Sequence, residues 1–229
     1  KHSGGNVVSL NSPTSAPTSA DVAFKLPNAD GSAGQYMKTD GSGNLSFDTV
    51  STTDNNTFVK LSSTTISSST AQVDFTNSIT GAFDTYKTYA VSITNLVPAS
   101  DDLTLRARKF DSNGIYTAAE HHTKVIENGS SYSYPGDDNF VIIRQGVGNN
   151  SSGSEVYENF NGIFYFFNFE ANNRFSFMGN MIYKNASSTT TFTTMGGTTN
   201  VTTETTGIRF FFNAGNIATG IFTLYGIAA

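Results

Sequence analysis

Hydrophobic residues in this chain recur at every second position over short runs, and turn residues separate the runs. In YAVSITNL (89–96), Tyr89, Val91 and Ile93 fall on one face, and Ala90, Ser92 and Thr94 on the other. LTLRARKF (103–110) repeats the pattern, with Leu103, Leu105 and Ala107 inward and Arg106 and Arg108 outward. NFVIIRQ (139–145), GIFYFFNF (162–169), RFSFMGNMIY (174–183), GIRFFFN (207–213) and GIFTLYGI (220–227) complete the set. Alternation predicts half-buried antiparallel strands, because successive side chains on a pleated strand point to opposite faces. The two aromatic runs, at 162–169 and 207–213, predict strands buried on both faces. Turn signals fall between the runs: PASDD at 98–102, DSNG at 111–114, NGSS at 128–131, YPGDDN at 134–139, GNNSSG at 148–153 and NAGN at 213–216. The best helical candidate, TAAEHH at 117–122, is too short to stand without tertiary support. Loops too short for crossover helices predict an all-β protein, with residues 75–229 forming an antiparallel β-sandwich of jelly-roll type. A domain of ~150 residues buries about 68–70% of its unfolded surface, enough to fold without staples.

The opening third has a different pattern. Residues 1–20 set Val7, Val8 and Leu10 within Ser, Thr, Gly and Pro, and Pro13 and Pro17 hold the chain extended. Within 21–50, two turns ten positions apart, DGSAG at 30–34 and DGSGN at 40–44, separate single apolar residues at Leu26, Tyr36, Met37, Leu45 and Phe47. Gly supplies positive φ without steric cost, and Asp closes a local side-chain hydrogen bond. Residues 1–50 therefore predict an extended arm that has no core of its own, and the sparse apolar positions of 51–74 predict a neck. The arm must be buried by assembly, through Val7, Leu10, Leu26, Met37, Leu45, Phe47 and, in the neck, Phe58.

Composition sharpens this picture. Charged residues make up 14% of the chain, against about 25% in ordinary soluble proteins. Phe and Tyr supply an aromatic content of 13%, and there is no Trp. A net charge of -5 with scattered basic residues argues against nucleic acid as a partner. Arg106, Arg108 and Lys109 form the one local basic knot, expected as a solvated strand face followed by a turn. The absence of cysteine removes disulfides, zinc thiolates and thiol nucleophiles. No apolar run approaches ~18 residues, so no membrane insertion is expected, and no stretch reads as a signal peptide.

The turn-repeat segment FKLPNADGSAGQYMKTDGSGNLSF (24–47) resembles a recurring element of tailed-bacteriophage structural proteins, especially fibre-type proteins of marine and cyanobacterial phages. The likeness runs through Leu26-Pro27, Asp30-Gly31, Gly34-Gln35 and Lys38 to Leu45. IRFFFNAGNIATGIFTLYGI (208–227) is similar to the ending of many phage fibre and head-associated proteins, and FDTYKTYAVSITNLVPASDDLTLRARKFDSNGIY (83–116) resembles the start of the same domain. The resemblance implies a virion component, exposed on the particle surface and assembled as a homotrimer with other capsid, tail or fibre proteins. It transfers no active-site motif.

Residues able to carry chemistry are few. Glu120-His121-His122 has a metal-like composition, but adjacent histidines on a strand face opposite ways and cannot easily share an ion. DSNG at 111–114 imitates the start of a calcium loop, yet its twelfth position is His122 rather than Glu. Asp101, Asp102, Asp137 and Asp138 would hold calcium only if their loops converged; as turn residues they are expected in solvent. Glu155 and Glu158 are a candidate carboxylate pair, in a Ser/Asn/Gly-rich approach unsuited to rigid catalysis. No G-x-S-x-G or H-E-x-x-H is present. The N-x-[S/T] sequons at Asn55, Asn128, Asn149, Asn150, Asn185 and Asn200 are expected by chance in such a chain. The expectation is a non-enzyme without cofactor or metal. Tyr116, Tyr132, Tyr134 and Tyr157 lie in or beside loops and are candidate platforms for a host-surface glycan, or else rings that fill loop packing or a subunit interface. Two readings stand beside the fibre-type appendage: a capsid decoration protein clamping neighbouring subunits, and a receptor- or glycan-binding tip.

Overall fold

A computed structural model describes residues 15, 24–49, 57–77, 83, 85–149 and 158–228. The chain divides into two units, Lys1–Asn55 and Asn56–Ala229. In the first, β1 (Gln35–Thr39) and β2 (Leu45–Thr49) pair antiparallel, with Met37 opposite Phe47. The turn chemistry is that of the repeat. Gly34, Gly41 and Gly43 hold φ of 86°, 78° and 89°, a region that residues with a Cβ enter at a cost. Asp40 Oδ1 accepts from the backbone N–H groups of Ser42 and Asn44 at 2.8 and 3.1 Å. The first turn is closed differently: Gln35 Oε1, not Asp30, accepts from Ser32 N at 2.7 Å.

The second unit is an all-β, sandwich-like arrangement of two antiparallel sheets. The larger contains β3 (Phe58–Ile66), β5 (Thr88–Pro98), β8 (His121–Glu127), β9 (Ser130–Asp137), β11 (Phe160–Phe167), β12 (Ser176–Lys184), β13 (Thr190–Thr199) and β15 (Ile217–Ile227). Its order is β3-β15-β5-β11-β12-β13-β8-β9. The smaller contains β4 (Gln72–Thr76), β6 (Leu105–Asp111), β7 (Gly114–Ile115), β10 (Phe140–Val141) and β14 (Gly207–Phe212), in the order β10-β6-β14-β4 with β7 beside β6. One hydrophobic core joins them. Phe210 of β14 meets Phe164 and Phe166 of β11 and Phe222 of β15 at ring distances of 5.7, 6.2 and 5.9 Å. The inward positions read from alternation are buried: Tyr89, Val91, Ile93, Leu103, Leu105 and Ala107.

Several expectations are corrected. The stretch taken as a neck, 51–74, supplies β3 and most of β4, which pair with β15 and β14; the unit boundary lies at Asn55/Asn56, not at 75. Its sparse apolar residues are enough because each sheet already has its core face, and an edge strand need only add hydrogen bonds and a few side chains. TAAEHH runs into strand β8 at His121. The run 139–145 is a strand only at Phe140–Val141. Beyond it the N–H groups of Arg144 and Gln145 turn to the Glu127 carboxylate at 3.1 and 3.3 Å instead of to a neighbouring strand. The two aromatic runs are not buried on both faces: β11 and β14 alternate buried with half-buried residues. Lys109 is not part of a solvated face. It is fully buried, and its Nζ donates to the Thr203 carbonyl at 3.0 Å and hydroxyl at 2.7 Å.

Candidate functional site

Among the described residues of the first unit, several large apolar side chains are uncovered. Leu26 is 67% exposed and Met37 52%, beside exposed Phe24 and Tyr36. Leu45 and Phe47 are half-buried. Phe47 lies so close on the first turn that a Cβ built on Gly31 would fall 2.7 Å from its ring. A two-stranded ribbon is marginal by itself, because one pair of strands has no opposing layer to bury its apolar side chains. Phe58, expected with these residues, instead lies on the outer face of the eight-stranded sheet, 44% exposed. Its ring meets Tyr225 at 5.9 Å and Tyr165 at 6.5 Å, edge-on. Val7 and Leu10 lie outside the described residues.

The tyrosines do not gather into one platform. Tyr116 is half-buried, with the Lys109 ammonium 5.1 Å from its ring centre and the buried His121 imidazole 5.6 Å away. Burial pushes its phenol above the usual range, with help from Glu120 and Asp111. Tyr132 carries the Arg144 guanidinium 4.3 Å over its ring, a cation–π contact that stacks the loop onto β9. Tyr157 lies outside the described residues.

Tyr134 is placed differently. It lines a cavity of 540 Å³ together with His122, Thr123, Lys124, Ser133, Pro135, Phe177, Gly196, Gly197 and Thr198. The space exists because β13 carries two glycines opposite Lys124 and Thr123. A Cβ on Gly196 would meet nothing nearer than the Phe177 carbonyl at 3.8 Å. Thr123 contributes little surface, since its side chain lies on the core side of β8 between outward-facing His122 and Lys124; its buried Oγ1 has no hydrogen-bond partner, an arrangement that costs free energy. Lys124 supplies the positive charge, and no carboxylate lines the cavity among the described residues. A pocket of this size, largely apolar with a few convergent polar groups, can take one ring of a saccharide or a similar small molecule.

Other polar residues are built into the interior and were not legible as such. Glu127 is 2% exposed. Besides the two loop N–H groups, its carboxylate accepts from Tyr183 Oη at 2.8 Å and Thr193 Oγ1 at 3.3 Å. Burial, then the neighbouring Glu127, push the Tyr183 phenol far above its usual range. Glu158 is also buried and accepts from Ser188 Oγ at 2.6 Å, so it is no half of an open carboxylate pair; Glu155 lies outside the described residues. His121 and His122 do face opposite ways, the first buried in the core and the second half-exposed with Nε2 2.7 Å from Asn200 Nδ2. Asp138 pairs with Arg108, while Asp101 accepts from Asn149 N at 3.2 Å. Among the described residues, no three His, Asp or Glu side chains gather as a metal site would need.

The chain matches no protein-family model, no curated protein and no solved structure. The class that its fold defines is an all-β protein whose larger unit is built from two antiparallel sheets around one core.

Proposed function

We propose that this protein is a non-enzymatic structural component of a tailed-phage virion, a trimeric fibre-type appendage. Its N-terminal arm anchors it to the particle or to another fibre protein, and the sandwich projects outward. The motif resemblance at 24–47, 83–116 and 208–227 supports the setting. The observation that carries the architectural role is the uncovered apolar surface at Leu26 and Met37 on a ribbon with no third strand among the described residues. Burying such side chains is worth about 25 cal/mol per Å², and another copy or a particle protein is what can bury them. Mass photometry of the full-length chain tests this. Wild type is expected at the three-chain mass, and Leu26→Asp/Met37→Asp at lower masses; a wild type found only as single chains overturns the trimer.

The cavity at Tyr134 favours a second reading in the same setting, a glycan-binding tip. Its polar rim and Lys124 ammonium suit an acidic or neutral sugar. A glycan array comparing wild type with Gly196→Val, which fills the cavity without backbone strain, decides it. Binding by wild type that the variant lacks supports the tip; no binding by wild type removes it.

A further inference from the structure

The outer face of the eight-stranded sheet has the layout of a protein interface. Register and alternation place Tyr165, Met178, Ile182, Phe192, Ile126 and Phe58 on it, and Ile182 lies directly opposite Phe192. Phe192 is 62% exposed, the most of any large apolar residue described in this unit. Between these residues stand neutral Ser, Thr and Asn, among them Thr194, whose hydroxyl donates to Asn180 Oδ1 at 2.7 Å. The charged residues on this face are lysines, Lys60 on edge strand β3, Lys124 on β8 and Lys184 at the end of β12. All stand toward the periphery. A charge-depleted centre with aromatic, Met and Ile side chains, ringed by polar groups, is the composition of a contact surface rather than of a solvated sheet.

The other sheet shows the contrast. Its outer face carries Arg106, Arg108 and Arg209, with Arg209 paired to Asp74 at 2.7 Å and Arg108 to Asp138. That is a charged face made for water.

We infer that the outer face of the eight-stranded sheet packs against a second copy of this chain. An uncharged centre can meet the same face of neighbouring copies around a three-fold axis without bringing like charges together, and the peripheral lysines keep their solvent. An acidic partner would instead call for cations at the centre. The size also fits. Eight strands about 4.8 Å apart and about seven residues long at ~3.4 Å each cover roughly 800 Å², the area each partner contributes to a standard stable interface. The inference rests on the assembly proposed above and deepens it by naming a contact that belongs to the sandwich itself.

Mass photometry of full-length wild type, the face variant Ile182→Lys/Phe192→Lys and the arm variant Leu26→Asp/Met37→Asp tests it, with circular dichroism and cooperative urea unfolding to verify the fold. The folded face variant is expected to need at least about tenfold higher concentration to assemble. A folded face variant that assembles like wild type overturns the inference; if the arm variant still dissociates, the proposed trimer stands without it. A wild type found only as single chains overturns both. Because the chain has no cysteine, a short bis-maleimide reads the same contact even if the lysine variant fails to fold. Thr194→Cys is expected to give covalent dimers and Gln72→Cys, on the outer face of the other sheet, none. Equal yields at the two positions, or none at either, overturn the inference.

Discussion

Glu127 shows how single residues decide the interior. A carboxylate 2% exposed, held by two backbone N–H groups and two hydroxyls, substitutes for the β-ladder that residues 144 and 145 would otherwise need. Glu127→Ala strands those donors, and the expected loss is about 3–5 kcal/mol in urea unfolding. Tyr183→Phe, which removes one donor to a charged group, is expected to cost about 1.5–3 kcal/mol in the same measurement. His121 acts through pH. Its Nδ1 lies 3.1 Å from the Asp137 carbonyl, so Nδ1 carries the proton and donates, and Nε2 is buried without a partner. Burial lowers the imidazole from its ordinary 6.5 to about 4, against the opposing backbone hydrogen bonds. Between those values the unfolded chain binds a proton that the folded chain refuses. The contribution is complete above pH 6.5 and is lost as pH falls toward 4, by on the order of 3 kcal/mol in all. The stability of wild type minus that of His121→Phe, followed by urea unfolding against pH, is expected to fall over that window. Neither role was legible beforehand. A Glu or His in an alternating strand reads only as a polar position until the facing sheet supplies its partners.

At the scale of elements, strands with apolar inward positions were legible and strands with threonine inward were not. β13 points Thr191, Thr193 and Thr199 into the core and Phe192 out to solvent, the reverse of the usual pattern. Thr193 is inside because its hydroxyl serves Glu127, and its β-branched side chain suits a pleated sheet whatever its polarity. β8 is hidden for a related reason, since His121, Thr123 and Glu127 take inward positions and Ile126 an outward one, and β9 because NGSS and YPGDDN at its two ends read as turns. The turn repeat was legible because its chemistry is local: positive φ at glycine and the Asp40 capture need no tertiary partner. Glycines inside strands, by contrast, divide by what faces them. A Cβ on Gly179 would fall 2.4 Å from the Phe164 ring, whereas Gly196 on the neighbouring strand faces open space. Gly179→Ala is therefore expected to lower stability by about 1–3 kcal/mol and Gly196→Ala to change it by less than about 0.5 kcal/mol, compared by urea midpoints.

For the whole molecule, the two sheets have unlike outer faces, one laced with arginine–carboxylate pairs and one nearly free of charge. That difference bears on assembly, because a face without charge loses little when water leaves it. The candidate interaction residues split accordingly, with Leu26 and Met37 on the ribbon and Phe58 on the large sheet. The alternation of Tyr89, Val91 and Ile93, the aromatic-rich composition and the glycine turns by themselves determined an all-β chain with a local turn at 40–44 closed by Asp40. Those signals are local: a side chain's face and a turn's φ follow from neighbours along the chain. Only the tertiary structure decided which strands adjoin, that residues 58–76 belong to both sheets, that Lys109, His121 and Glu127 lie inside, and that Gly196 opens a cavity beside Tyr134. The contacts that decide them reach from 16 positions apart, at His121–Asp137, to 160, at Ser63–Thr223, and no short window along the sequence brings such groups together.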